Sequence, residues 1–170
     1  MSRPRLKRQV ASKHDSRDYI ERIEASCGVQ LGTSRSSQVE VVEPEEGVRF
    51  IIVEGRFAFV ERSAPSVEPS FIPFIGSQPV LALFPSARID DGAIKFILKG
   101  ADVMRPGIVK YDEWGSKEKI VIVRDDAKGR GLAVGLTTVE SKEMTTLVKG
   151  SCIKNLHHAG DRIWDSYKKM

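Results

Sequence analysis

The chain of 170 residues is 41% hydrophobic and 29% charged, with a formal net charge of +4, the balance of a globular protein and not of a disordered or fibrous one. Its longest apolar runs, FIIV and VLALF, fall far short of the roughly 18 residues that cross a bilayer, so no membrane partner is expected. Cys27 and Cys152 lie far apart and at no ligand spacing, which fits two reduced thiols of a cytoplasmic protein better than a disulfide framework.

The basic start MSRPRLKRQ leads into polar HDSRD and not into an apolar run, so no secretory signal is expected. Arg3, Arg5, Lys7, Arg8, Lys13, Arg17 and Arg22 face only Asp15, Asp18 and Glu21 in this stretch, making it a local basic patch. HDSRDYIERIEASCG places Ile20, Ile23 and Cys27 at helical spacing, with Asp15 or Ser16 to cap the start and Gly28 to close the end. From Gln38 the period changes. QVEVV, VRFIIV and RFAFV are β-branched or aromatic runs, and Glu54 and Gly55 separate the last two in the manner of a tight hairpin turn. Prolines 65, 69, 73, 79 and 85 then keep any regular structure short. We place a domain boundary at residue 84.

Residues 85–170 carry 16 Lys and Arg against 12 Asp and Glu, whereas residues 1–84 carry 11 of each. The basic surplus therefore belongs to the second half. In ARIDDGAIKFILKG, Ala93, Ile94, Ile97 and Leu98 share one face of about two helical turns. Asp90 or Asp91 offers an N-cap, and Gly100 stands where a left-handed C-terminal cap is wanted. Lys95 and Lys99, four apart, share the opposite face near the helix's negative end. VMRPGIVKY, KIVIVRD, LAVGLTTV, SCIKNLHH and RIWDSY follow as five short strand-like runs between Gly, Asp or Ser clusters, the spacing of a small barrel. No internal repeat or low-complexity tract interrupts them.

DDGAIKFILKGADVMRPGI and GSCIKNLHHAGDRIWDSY together resemble a PUA domain, the module named after pseudouridine synthases and archaeosine transglycosylases. More narrowly, the chain is similar to the archaeal relatives of the malignant T-cell amplified sequence family. The resemblance implies an α+β protein: an N-terminal pre-PUA α/β domain over residues 1–84 and a PUA pseudo-β-barrel over residues 85–170. It further implies a noncatalytic, monomeric RNA-binding protein of translation that contacts tRNA or the small ribosomal subunit. A SUI-type translation factor is the implied protein partner, and this chain has no SUI-like half of its own. Arg105 before the PG pair departs from the eukaryotic pattern. Two rival roles fit the same residues: an RNA-delivering accessory subunit of an RNA-modification enzyme, and a protein-protein adaptor using the VRFIIVEGRFAFV hairpin.

The physical basis expected for RNA contact is a sharp corner. A helix closed by Gly100 turns into ADVM, so that Lys95, Lys99, the backbone at Gly100, Ala101 and Asp102, and Arg105 meet on one edge stiffened by Pro106 and left open by Gly107. Lys110, Lys154 and Arg162 extend the patch. Trp164 and Tyr167 read as barrel core in a closing strand, with stacking on a nucleotide as the other reading. Cys152, His157 and His158 lack a second ligand pair at zinc spacing, so neither a metal nor any other cofactor is expected. Asp125 and Asp126 sit in DDAKGRG as a turn pair. The glycines after them match no dinucleotide or P-loop pattern, so catalysis has no candidate site.

Overall fold

In the computed structural model the described residues are 6–62, 64 and 68–170. Arg3 and Arg5 of the basic start and Pro65 of the proline-rich segment lie outside them. The chain divides into two compact units, Met1–Leu83 with Asp165–Met170, and Phe84–Trp164.

The first unit holds β1 (Lys7–Val10), α1 (Lys13–Cys27), β2 (Val39–Glu45), β3 (Val48–Val53), β4 (Phe57–Glu61), β5 (Phe71–Pro73) and the short α2 (Gln78–Leu81). The strands form one antiparallel sheet in sequence order. Ile20, Ile23 and Cys27 of α1 are buried, as their helical spacing requires. Burial pushes the Cys27 thiol up to about 12, so it stays an inert thiol. The helix starts earlier than the sequence suggests, because Ser12 is the N-cap and its hydroxyl accepts from the Asp15 amide at 3.0 Å. Gly28 closes it in the left-handed region. At the β3–β4 hairpin Glu54 and Gly55 have φ of 53° and 67°, the paired positive values of a turn whose twist matches its strands.

The second unit holds β6 (Ser86–Ile89), α3 (Asp91–Ile97), β7 (Val103–Met104), β8 (Ile108–Tyr111), β9 (Ile120–Asp125), β10 (Gly131–Thr137), β11 (Ser151–His158) and the first turns of α4 (Arg162–Tyr167). Its six strands run in the order β7-β11-β10-β9-β6-β8. A three-residue 3-10 turn, Arg105–Gly107, joins the two outermost strands directly, so the sheet curls into a nearly closed barrel. Ala87, Ile89, Val121, Val123, Ala133 and Ile153 fill it. Strand β6 has no strand signal in the sequence reading. It is nevertheless internal to the sheet, parallel to β9 and antiparallel to β8.

RIWDSY corrects the strand reading. It is helical, because Asp161 caps it: its Oδ1 accepts from the Trp164 amide at 2.9 Å. Tyr167 therefore lies outside any barrel core. Its ring stacks on Phe74 at 4.3 Å and meets Phe50 edge-on at 5.5 Å, within the first unit. Lys169 donates to Glu45 in the same unit. The boundary expected at residue 84 assigns everything after it to one domain, whereas Asp165–Met170 group with the first unit.

Candidate nucleic-acid interface

The corner after α3 is built by two complementary sets of hydrogen bonds. Asp90 caps the start, its Oδ1 accepting from the Ala93 amide at 2.9 Å. At the other end the Gly100 amide donates to the Ile97 carbonyl and the Ala101 amide to the Phe96 carbonyl, both at 3.0 Å. Gly100 has φ of 93°, and the pattern is a glycine-closed helix end. Both amides are thus occupied inside the turn and cannot serve a phosphate, contrary to the expectation from sequence. Asn155 of β11 fixes the corner from outside: its Nδ2 donates to the carbonyls of Ile97 and Ala101, both at 3.0 Å, and its amide donates to Asp102 Oδ1 at 2.9 Å. Sequence reasoning missed Asn155, and its only signal is a lone amide side chain in a strand of mixed polarity.

Lys95 and Lys99 are exposed on α3 and its closing turn, and neither has an ion pair to a described carboxylate. Lys95 Nζ stands 5.1 Å from the centre of the Phe96 ring. Lys154 is exposed on β11 beside Asn155. The His158 ring borders Gly100, with Nε2 about 3.5 Å from where a side chain there would begin; its Nδ1 contacts the Ala159 carbonyl at 2.9 Å.

Arg105 does not join the lysines. It is half-buried, with Nε donating to the Met144 carbonyl and Nη1 to the Ile108 carbonyl, each at 3.1 Å. The turn that carries it aims the guanidinium inward, so it ties the segment around Met144 to β8. An Arg105→Ala chain should therefore lose stability, since leaving two inward-facing carbonyls without a donor costs about 1–3 kcal/mol. Thermal unfolding followed by circular dichroism should show a midpoint lowered by several degrees. An unchanged midpoint would remove Arg105 from the structural role. Pro106 opens the same 3-10 turn, and Gly107 accepts from the Asp90 amide at 3.0 Å. Lys110 and Arg162 belong to β8 and α4.

An apolar hollow of about 480 Å³ opens where α3 meets β7. Ala93, Phe96, Ala101, Val103, Met104 and Gly107 line it. Gly107 is needed there, because a Cβ would stand 3.2 Å from that of Ala93. Phe96 and Met104 are 54% and 50% exposed, whereas Val103 is buried. Phe96 could have been found: it is the one large apolar residue on the helix face that carries Lys95 and Lys99.

The remaining polar clusters have structural employment. Asp125 accepts from the Lys128 amide at 2.5 Å and from Arg130 Nε at 2.7 Å, closing the β9–β10 hairpin. The Arg130 guanidinium, followed by the Lys128 amide, holds its carboxyl below the usual carboxylate range. His157 Nδ1 contacts Asp161 Oδ2 at 2.7 Å. Among the described residues no group of three or more His, Cys, Asp or Glu is gathered to hold a metal, and no helix is long and apolar enough to cross a membrane.

Residues 85–159 match the PUA domain family model. An uncharacterised protein of Methanocaldococcus jannaschii is 48% identical over 77 residues, 45% of this chain and 48% of that one, so the match spans about half of that relative. Translation machinery-associated protein 20 of Saccharomyces cerevisiae is 29% identical over 77% of this chain and 74% of its own. Malignant T-cell-amplified sequence 1-B of Xenopus laevis is 27% identical over 76% and 72%. Among solved structures, a hypothetical protein of Pyrococcus horikoshii is similar with a TM-score of 0.73 and 27% identity, covering 94% of this chain and 98% of that one. The chain thus carries a PUA domain at residues 85–159, and over most of its length it is similar to the translation machinery-associated and malignant T-cell-amplified sequence proteins.

Proposed function

We propose that this chain is a noncatalytic RNA-binding protein of the cytoplasm that acts in translation by contacting tRNA or the small ribosomal subunit. The observation that carries the reading is the pairing of an open apolar hollow with unneutralised lysines on one helix. A base released from its stack can bury a face against Phe96 and Met104, while Lys95, Lys99 and Lys154 meet the phosphates that flank it. The hollow also explains why the corner is rigid: Asp90, Gly100 and Asn155 fix α3 before any ligand arrives, which lowers the ordering cost of binding. The name of the yeast relative supports a place in translation, and a SUI-type translation factor is the proposed protein partner.

Sedimentation of the native protein through a ribosome-resolving gradient, with sequencing of RNA crosslinked to it, tests the reading. The expected result is co-migration with small subunits or recovery of tRNA, with crosslinks on the peptide that contains α3. Recovery at the top of the gradient, with no RNA shifted even at low salt, would leave a protein adaptor as the better account.

A further inference from the structure

Strand β6 brings three cations into one cross-strand row. Arg88 is paired in register with Lys110 of β8 on one side and with Arg124 of β9 on the other. Residues directly opposite each other point to the same face, and neighbouring strands lie about 4.8 Å apart, so the row spans roughly 10 Å. Ala87, Ile89, Val123 and Asp125 alternate with the arginines and are buried, which puts the row on the outer face of the barrel. Like charges opposite each other destabilise a sheet. Three in succession need a reason.

The manner in which the row is held sharpens the point. Arg88 Nη1 donates to the Asp126 carbonyl at 3.4 Å, Arg124 Nε to Ser86 Oγ at 3.0 Å, and Arg124 Nη1 to the Gly129 carbonyl at 3.0 Å. All three acceptors are neutral. Several other arginines meet carboxylates, Arg8 with Glu40, Arg17 with Glu21, Arg49 with Glu61 and Arg130 with Asp125, while Arg62 and Arg105 meet carbonyls but stand alone and not in a cross-strand row. Among the described residues of the N-terminal basic segment, Arg8, Arg17 and Arg22 are paired in this way. The carboxylate that bears on Arg124 is Asp112, and its Oδ2 accepts from the Ser86 amide at 2.8 Å. Burial and then the charge of Arg88 hold Arg124 below the ordinary arginine range, with Asp112 only partly opposing them. Gly129 leaves room for the arrangement, since a side chain there would begin 3.4 Å from both Arg88 terminal nitrogens.

We infer that Lys110, Arg88 and Arg124 form a second phosphate-contact strip, which takes the sugar-phosphate backbone of an RNA already engaged at the α3 edge. The inference rests on the RNA-binding reading and extends its footprint to another set of strands. A guanidinium fixed by carbonyls keeps its charge and part of its planar donor fork for an outside acceptor, and the fork matches a phosphate. Phosphate is also the anion that recurs along a chain regardless of sequence, which suits a row of cations at strand spacing.

The test uses the full chain with unfractionated tRNA and with small-subunit ribosomal RNA, measuring affinity between 50 and 400 mM salt. Lys110→Gln is expected to lower the slope of log affinity against log salt by about one, and Arg88→Gln with Arg124→Gln by about two. Glutamine retains a donor for the hairpin carbonyls, and Arg88→Lys with Arg124→Lys should retain the slope. If the double glutamine chain does not fold, exposed Lys110 decides alone. Unchanged slopes in the strip variants, together with a reduced slope in a Lys95→Gln and Lys99→Gln chain, overturn the strip and leave the α3 edge standing. A wild-type chain that binds neither RNA at 50 mM salt overturns both.

Discussion

Replacing Lys95 and Lys99 together by glutamine is expected to weaken RNA binding by about tenfold to a hundredfold at 0.1 M salt. Each lysine that neutralises a phosphate releases close to one counterion, which changes affinity by about fivefold to eightfold for every tenfold in salt. Two such contacts multiply, and the slope of log affinity against log salt should fall by about two. The melting midpoint should stay within about two degrees, because exposed charges contribute little to stability. Both are exposed and without an ion pair to a described carboxylate, and the one contact of Lys95 is with the exposed Phe96 ring. Arg105 would have confounded the same experiment, because its loss exposes carbonyls as well as removing a charge. A salt titration in which the double variant keeps the wild-type slope and affinity excludes α3 as a phosphate contact.

The contrast between Lys99 and Arg105 shows where sequence reading succeeds and where it stops. Helix α3 was legible because its information is local: an Asp at the start, apolar residues on one face, a glycine at the end. These fix which side of the helix its lysines occupy. Arg105 is six residues further on, yet its direction depends on carbonyls from Ile108 and Met144, and nothing between residues 99 and 107 announces the second of them. The same distinction explains β6. SARI is four residues long with one polar side chain in each pair, too short for a period to declare itself, and only its pairing with β8 and β9 makes it a strand. RIWDSY carried apolar and aromatic residues that suit a strand, but Asp161 three residues before Trp164 supplied a cap that outweighed them. The apolar hollow was hidden for another reason. Phe96 and Met104 look like core in any composition, and their exposure is a property of the corner that separates them from it.

The largest loss of stability is expected from a single methyl group, in Gly135→Ala. Gly135 lies in β10 opposite Asn155 of β11 and Val121 of β9. A Cβ built on it would overlap the Ile153 Cγ2 methyl and stand 3.2 Å from the Lys154 carbonyl oxygen. The carbonyl belongs to a paired strand and cannot yield. Ile153 is itself fully buried among Cys152, Val103 and Ala133, so its movement is passed into the barrel core. Overpacking of this kind costs about 1–3 kcal/mol and occasionally more, and a carbonyl that cannot yield beside a buried side chain that yields only by disturbing the core puts this site at the upper end. For a unit of this size the midpoint should fall by roughly 10–20 °C. Ile153→Leu removes the Cγ2 branch, so the Gly135→Ala, Ile153→Leu pair should recover part of the loss, and a double-mutant cycle should show coupling above about 0.5 kcal/mol. The consequence reaches the proposed interface, because the ladder rung at Gly135 also holds Asn155, whose amide side chain fixes the end of α3. Gly135→Ala should therefore weaken RNA binding together with stability, whereas the lysine variants separate the two. A Gly135→Ala chain that melts with the wild type would mean that β10 and β11 do not pack as closely as described, and with them the corner that presents Lys95 and Lys99.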